Sequence, residues 1–227
     1  MTIRVALADD QALLRATFRI LIDAAPGMSV VGEAANGQEA VGLAHDHHPD
    51  VLVMDIRMPG TDGIAATDLI ASDPALASTR ILILTTFEDD ENVARALRAG
   101  ASGFLGKDVS AEVLLTGIKT VAAGESLLSP AATRSLISRF LTTPEPRTPV
   151  TPPRLTTLTE REREVALLAA LGRTNDEIAQ YLVVSPLTVR SHIQRAMTKV
   201  GARDRAQLVV AAYQSGLVTP GQTDPSP

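Results

Sequence analysis

The chain has 227 residues, 45% hydrophobic and 21% charged, with a net charge of −5, the profile of one or two globular domains rather than of a disordered or fibrous chain. It contains no Cys, which excludes disulfides, thiolate metal sites and thiol nucleophiles. No apolar run approaches the roughly 18 residues of a membrane span, and the opening MTIRVALADD lacks the apolar region of a signal peptide, so the expectation is a soluble, cytoplasmic protein with no membrane partner.

Taken in chain order, short Val/Ile/Leu-rich runs occur at 3–8, 28–31, 51–54, 81–84 and 103–105. They do not alternate with polar residues, as expected of strands buried on both faces of a parallel sheet. Amphipathic stretches at 11–24, 37–47, 63–71, 89–99 and 110–122 separate and follow them. Five β–α units predict a doubly wound α/β domain with a five-stranded parallel sheet over 1–122. Ser129-Pro130 then reads as an N-cap with Pro at the first helical position, opening a further helix to about 140. Residues 141–156 form a linker, with five prolines between 142 and 156, largely extended and semi-rigid.

The second domain, 157–219, is expected to be all helical. Thr159-Glu160-Arg161-Glu162 and Thr174-Asn175-Asp176-Glu177 both match the capping box. Ser185-Pro186 repeats the N-cap signal, and Gly172 and Gly201 read as helix stops. The expected helices are 160–171, 175–182, 186–199 and 204–215, with a disordered tail at 220–227. The charge divides unevenly: residues 1–141 carry −7 and residues 142–227 carry +2. Arg190, Arg195, Lys199, Arg203 and Arg205 crowd into 185–205 beside one acid, Asp204. That points to a nucleic-acid partner, the alternative being a solvated helix face.

In the first half, Asp9 and Asp10 follow the first strand, Asp55 the third, Thr85 and Thr86 the fourth, and Lys107 the fifth. Ligands of open α/β sheets sit at the carboxyl ends of the strands, so these residues converge. Three neighbouring carboxylates repel one another, and a divalent cation relieves this. Hard oxygen ligands suit Mg²⁺, with the Arg57 backbone carbonyl as a further candidate ligand. A carboxylate held against Mg²⁺ can attack phosphorus and form an aspartyl phosphate, while Lys107 and Thr85 stabilise the phosphoryl oxygens.

ADD (8–10), VLVMDIRMPGTDG (51–63), ILILTT (81–86) and GASGFLGKD (100–108) resemble the receiver domain of response regulators. The resemblance implies a flavodoxin-like fold, Asp55 as phosphoacceptor, Mg²⁺ held by Asp9, Asp10 and Asp55, and phosphoryl contacts from Thr85 and Lys107. It also implies a switch in which Phe104 rotates inward as Thr85 moves toward the phosphate; the alternative is a simple core aromatic. Two residues depart from the common receiver pattern: Asp108 stands where many receivers have Pro, and Gly106 replaces a bulkier residue, which would loosen that loop and alter phosphoryl lifetime.

Residues 174–199 read as helix, turn, helix. Ile178, Ala179 and Leu182 face inward from the first helix, and Val183-Val184-Ser185 makes the turn. Val189, Ile193, Ala196, Met197 and Val200 form the buried face of the second helix. Residues 158–212 resemble the LuxR/NarL-type DNA-binding domain, a small four-helix domain whose third helix enters the major groove. The resemblance implies base contacts from Arg190, Ser191 and Gln194 and backbone contacts from Thr188, Arg195 and Lys199. His192 either bonds a phosphate or packs. Leu208, Val209 and Ala212 of the fourth helix supply either a dimer surface or intradomain core.

Together these features resemble a two-component response regulator of the NarL/FixJ family, with double-stranded DNA and a sensor histidine kinase as partners and a homodimer forming on phosphorylation. The acidic receiver would cover part of the DNA-binding domain until Asp55 is phosphorylated. Two alternatives stand beside this. One is a DNA-binding regulator independent of phosphorylation, with the receiver as a dimer scaffold. The other is a Mg²⁺-dependent phosphohydrolase, which needs a second acid where the chain has Arg57 and a cap domain that no segment offers. RNA binding lacks an aromatic stacking platform, with two Tyr and no Trp.

Overall fold

The computed structural model describes residues 2–86, 90–124 and 157–218. The expected helix to 140, the linker at 141–156 and the tail at 220–227 lie outside the described residues. The chain divides into two compact units, Met1–Leu127 and Leu128–Pro227.

In the first unit, β1 (Ile3–Ala8), β2 (Met28–Ala34), β3 (Val51–Met54), β4 (Arg80–Thr85) and β5 (Gly103–Gly106) form a parallel sheet of order β2-β1-β3-β4-β5. Helices α1 (Ala12–Asp23), α2 (Gly37–His47), α3 (Gly63–Ser72), α4 (Asp90–Ala99) and α5 (Ala111–Ala122) connect or follow the strands. Successive strand side chains point to opposite faces. Val5, Leu7, Val51, Val53, Leu82 and Leu84 pack on one face with Ile22 of α1 and Leu114, Ile118 and Val121 of α5. Ala6, Leu52, Met54, Ile81 and Ile83, on the alternate positions, are also fully buried. Burial on both faces is why these strands are continuous apolar runs. β2 extends three residues past the expected end at 31. Its Gly32-Glu33-Ala34 segment lacks β-branched residues, and pairing with β1 across an irregularity at Val5/Ala6 holds it in the sheet.

In the second unit, α6 (Glu160–Ala170), α7 (Asn175–Leu182), α8 (Pro186–Val200) and α9 (Arg205–Gln214) match the four expected helices to within a residue or two. Each N-terminus is capped: Thr159 and Thr174 by full capping boxes, Ser185 and Asp204 by single side-chain bonds. α8 ends at Gly201, φ 76°. The turn between α7 and α8 uses Val183 at φ 54°, a left-handed conformation strained for a β-branched residue. Val189, Ile193, Ala196 and Met197 are buried as expected, while Leu182 and Val200 are only half-buried. Tyr213 donates to the Ala170 carbonyl at 3.0 Å and ties α9 to α6; burial pushes its hydroxyl up to about 12.

Candidate functional site

Register brings the acidic residues together. Ala8 pairs with Met54, so the next residues, Asp9 and Asp55, emerge side by side where the strand order reverses between β1 and β3. The Asp55 amide donates to the Ala8 carbonyl at 2.8 Å. Thr85 pairs with Gly106, and the Lys107 amide donates to the Thr85 carbonyl at 2.9 Å. The sheet alone thus carries Lys107 to the acidic end. Gly106 is the buried last residue of β5.

Carboxylate oxygens of Asp9, Asp10 and Asp55 lie within 4.8 Å of one another. Asp9 and Asp55 are each 5% exposed, whereas Asp10 is exposed. One oxygen of each buried carboxylate is fixed by a backbone amide: Gln11 donates to Asp9 Oδ1 at 2.8 Å, and Ile56 donates to Asp55 Oδ1 at 2.7 Å. Lys107 Nζ bridges the remaining pair, 2.6 Å from Asp9 Oδ2 and 2.7 Å from Asp55 Oδ2. Desolvation disfavours the ammonium, but the bonds to Asp55 and Asp9 outweigh it and hold Lys107 above its ordinary pKa. Thr85 is fully buried beside this cluster, and Phe104 is 7% exposed. The three clustered carboxylates fit a hard divalent cation.

Two glycines with no assigned role in the sequence prove to shape this end of the sheet. A Cβ at Gly63 would stand 1.9 Å from the Asp55 carbonyl oxygen, and one at Gly37 would stand 2.4 Å from the Thr61 carbonyl oxygen. The Gly63 amide donates to Ile56 at 2.8 Å, drawing α3 against the loop that holds Asp55. Gly63 closes the motif at 51–63, whereas Gly37 lies in none of the motifs that carried the resemblance.

In the second unit, Arg190, Ser191, Gln194 and Arg195 are exposed on α8, while Thr188 and His192 are half-buried. His192 Nδ1 is buried without a hydrogen-bond partner among the described residues, so this ring packs on one side. Lys199 is committed elsewhere: its Nζ lies 2.6 Å from Oε2 of Glu162. That pair occupies one of the three ammonium N–H donors, and Lys199 remains exposed. Arg205 bonds Asn175 Oδ1 at 2.6 Å and the Arg173 carbonyl. The basic stretch therefore overstated the charge available to a nucleic acid. Leu208, Val209 and Ala212, read as either a dimer surface or intradomain core, are 0%, 2% and 0% exposed in the single chain. α9 packs against α6 and α8 and leaves Gln214 exposed.

Residues 5–119 match the family described as response regulator receiver domain, and residues 156–212 match the bacterial regulatory proteins of the luxR family. The chain is 42% identical over 218 residues to the transcriptional regulatory protein YxjL of Bacillus subtilis (strain 168), covering 95% of this chain and 97% of that protein. It is 38% identical over 216 residues to the oxygen regulatory protein NreC of Staphylococcus aureus (strain USA300), covering 95% and 99%. Among solved structures, the response regulator ChrA of a haem-sensing two-component system is 31% identical, with a TM-score of 0.51 and coverage of 96% and 99%.

Proposed function

The chain belongs to the response regulators that join a receiver domain to a LuxR-type DNA-binding domain, and from that premise we propose that phosphorylation of Asp55 by a partner histidine kinase controls its dimerisation and its sequence-specific binding to DNA. The observation that carries this reading is the Lys107 ammonium bridging Asp9 and Asp55 beside buried Thr85.

In the step proposed, a carboxylate oxygen of Asp55 attacks the phosphorus of a phosphohistidine. A new O–P bond forms, the P–N bond breaks, and the departing imidazole takes up a proton. Asp9, Asp10 and Asp55 would hold Mg²⁺ with the Arg57 carbonyl, and the ion supplies positive charge against the phosphoryl oxygens when bound. Lys107, within bonding distance of Asp55 Oδ2, pairs with the transferred group, and the Thr85 hydroxyl donates to it. Thr85 displaced toward the phosphate leaves room that Phe104 fills, and this coupled change favours a receiver-mediated dimer. The receiver promotes only its own phosphoryl acceptance and loss; it turns over no other substrate.

Two second units paired in this way present two α8 helices to successive major grooves. Arg190, Ser191 and Gln194 read base edges, and Thr188 and Arg195 hold phosphates. His192, packed at Nδ1, serves chiefly to seat the helix. Chromosomal DNA as the target places the protein in the cytoplasm. Among the described residues no helix is long and apolar enough to cross a membrane.

The test is incubation with Mg²⁺ and a small-molecule phosphodonor, read by intact mass with Asp55→Asn alongside. The expected result is one phosphoryl adduct on wild type, none on the variant, and more dimer in the phosphorylated sample. No adduct on a folded wild-type chain would leave the phosphorylation-independent regulator.

A further inference from the structure

Val183 and Leu187 are the large exposed hydrophobics of the second unit among the described residues, at 89% and 72% exposed. A single exposed apolar residue on a surface is ordinary. Leu187 differs in its position. It is the second residue of α8, and Arg190, Ser191 and Gln194 lie three, four and seven positions beyond it. Residues at that spacing share one helix face, and all four are exposed. The Ser191 hydroxyl donates to the Leu187 carbonyl at 3.0 Å, so Ser191 stands directly over the turn that carries Leu187. The face proposed to read bases therefore begins with an aliphatic side chain held in water. Val183 lies off this face, in the turn that precedes the helix.

Base edges in the major groove offer mainly hydrogen-bond donors and acceptors, which a leucine cannot use. The exception is the C5-methyl group of thymine. We propose that Leu187 reads a thymine methyl in the operator half-site, setting specificity at that position where the rest of the stripe reads polar edges. This rests on the DNA-reading role of α8 proposed above. The N-terminal residues of a recognition helix are those that reach base edges, and Leu187 lies in the first turn. Contact with the methyl removes apolar surface of both groups from water.

The experiment is a selection of random duplex DNA by the full-length phosphorylated chain, comparing wild type, Leu187→Ser and Leu187→Met. Each thymine of the selected site is then replaced singly by uracil, which deletes only the methyl group. Wild type should lose about fourfold in affinity at one thymine, the worth of roughly one buried methyl. L187S should lose the preference for that thymine and become indifferent to uracil there, while L187M keeps both. Because Leu187 is exposed, neither substitution should alter the melting temperature appreciably. If L187S selects the same site and keeps the uracil penalty, Leu187 does not read the base and the inference fails alone. If no protein enriches any sequence, the DNA-reading role itself fails, and the inference with it.

Discussion

Gly63 shows how narrowly Asp55, the proposed phosphoacceptor, is held. Its missing Cβ leaves room for the Asp55 carbonyl oxygen, which a methyl group would approach to 1.9 Å. The obstacle is backbone rather than the tip of a flexible side chain, so it cannot swing aside. Gly63→Ala should therefore destabilise the receiver by about 2 kcal/mol, as overpacking does, and slow formation of the phosphoryl adduct. Chemical denaturation and intact mass on the full-length chain check both; unchanged values would mean that the α3 start can retreat without disturbing Asp55. At this scale the sequence displayed the residues that cluster, because Asp, Thr and Lys at strand ends carry their chemistry in their identity. It did not display the pairing of Lys199 with Glu162 or of Arg205 with Asn175. Those partners are 37 and 30 residues apart, and no local spacing reports them.

Single elements are stabilised by interactions that reach beyond them. Glu162 closes the α6 capping box by accepting the Thr159 amide at 2.8 Å, and the same oxygen accepts Lys199 of α8 at 2.6 Å. The Lys199 bond foremost, then that amide, holds the Glu162 carboxyl down at about 2, against its ordinary 4.5. A carboxyl depressed in the folded state stabilises the fold above its unfolded pKa, and that contribution is lost as pH falls toward the folded value. The melting-temperature advantage of wild type over Glu162→Gln should be full above about pH 4.5 and disappear near pH 2. A constant difference across that window would show that the carboxylate charge contributes nothing. Helix starts were legible because capping residues declare themselves in sequence. The core strands were legible because burial on both faces writes a continuous apolar run. The role of α9 was not: its residues 206 and 208–213 are all buried, so no amphipathic stripe distinguishes a face turned to its own domain from one offered to a partner.

The two units differ in charge, −9 over 1–127 against +4 over 128–227, and the family joins a phosphorylatable unit to a DNA-binding one. The proposed phosphorylation replaces the single negative charge of Asp55 by a phosphoryl group of about −1.5 to −2, a net gain of about −0.5 to −1 beside Lys107. Driving a switch from 1:99 to 99:1 takes about 5.5 kcal/mol of bias, which phosphoryl contacts and dimerisation are proposed to supply together. With Leu208, Val209 and Ala212 buried in the single chain, the receiver is where the proposed dimer contact is to be sought. The most direct measurement is the affinity of the full-length chain for its selected DNA site, before and after phosphorylation, at one fixed salt concentration and with Asp55→Asn as control. The account predicts at least tenfold tighter binding, about 1.4 kcal/mol, for phosphorylated wild type and no change for the variant. Equal affinity before and after verified phosphorylation of Asp55 would contradict it.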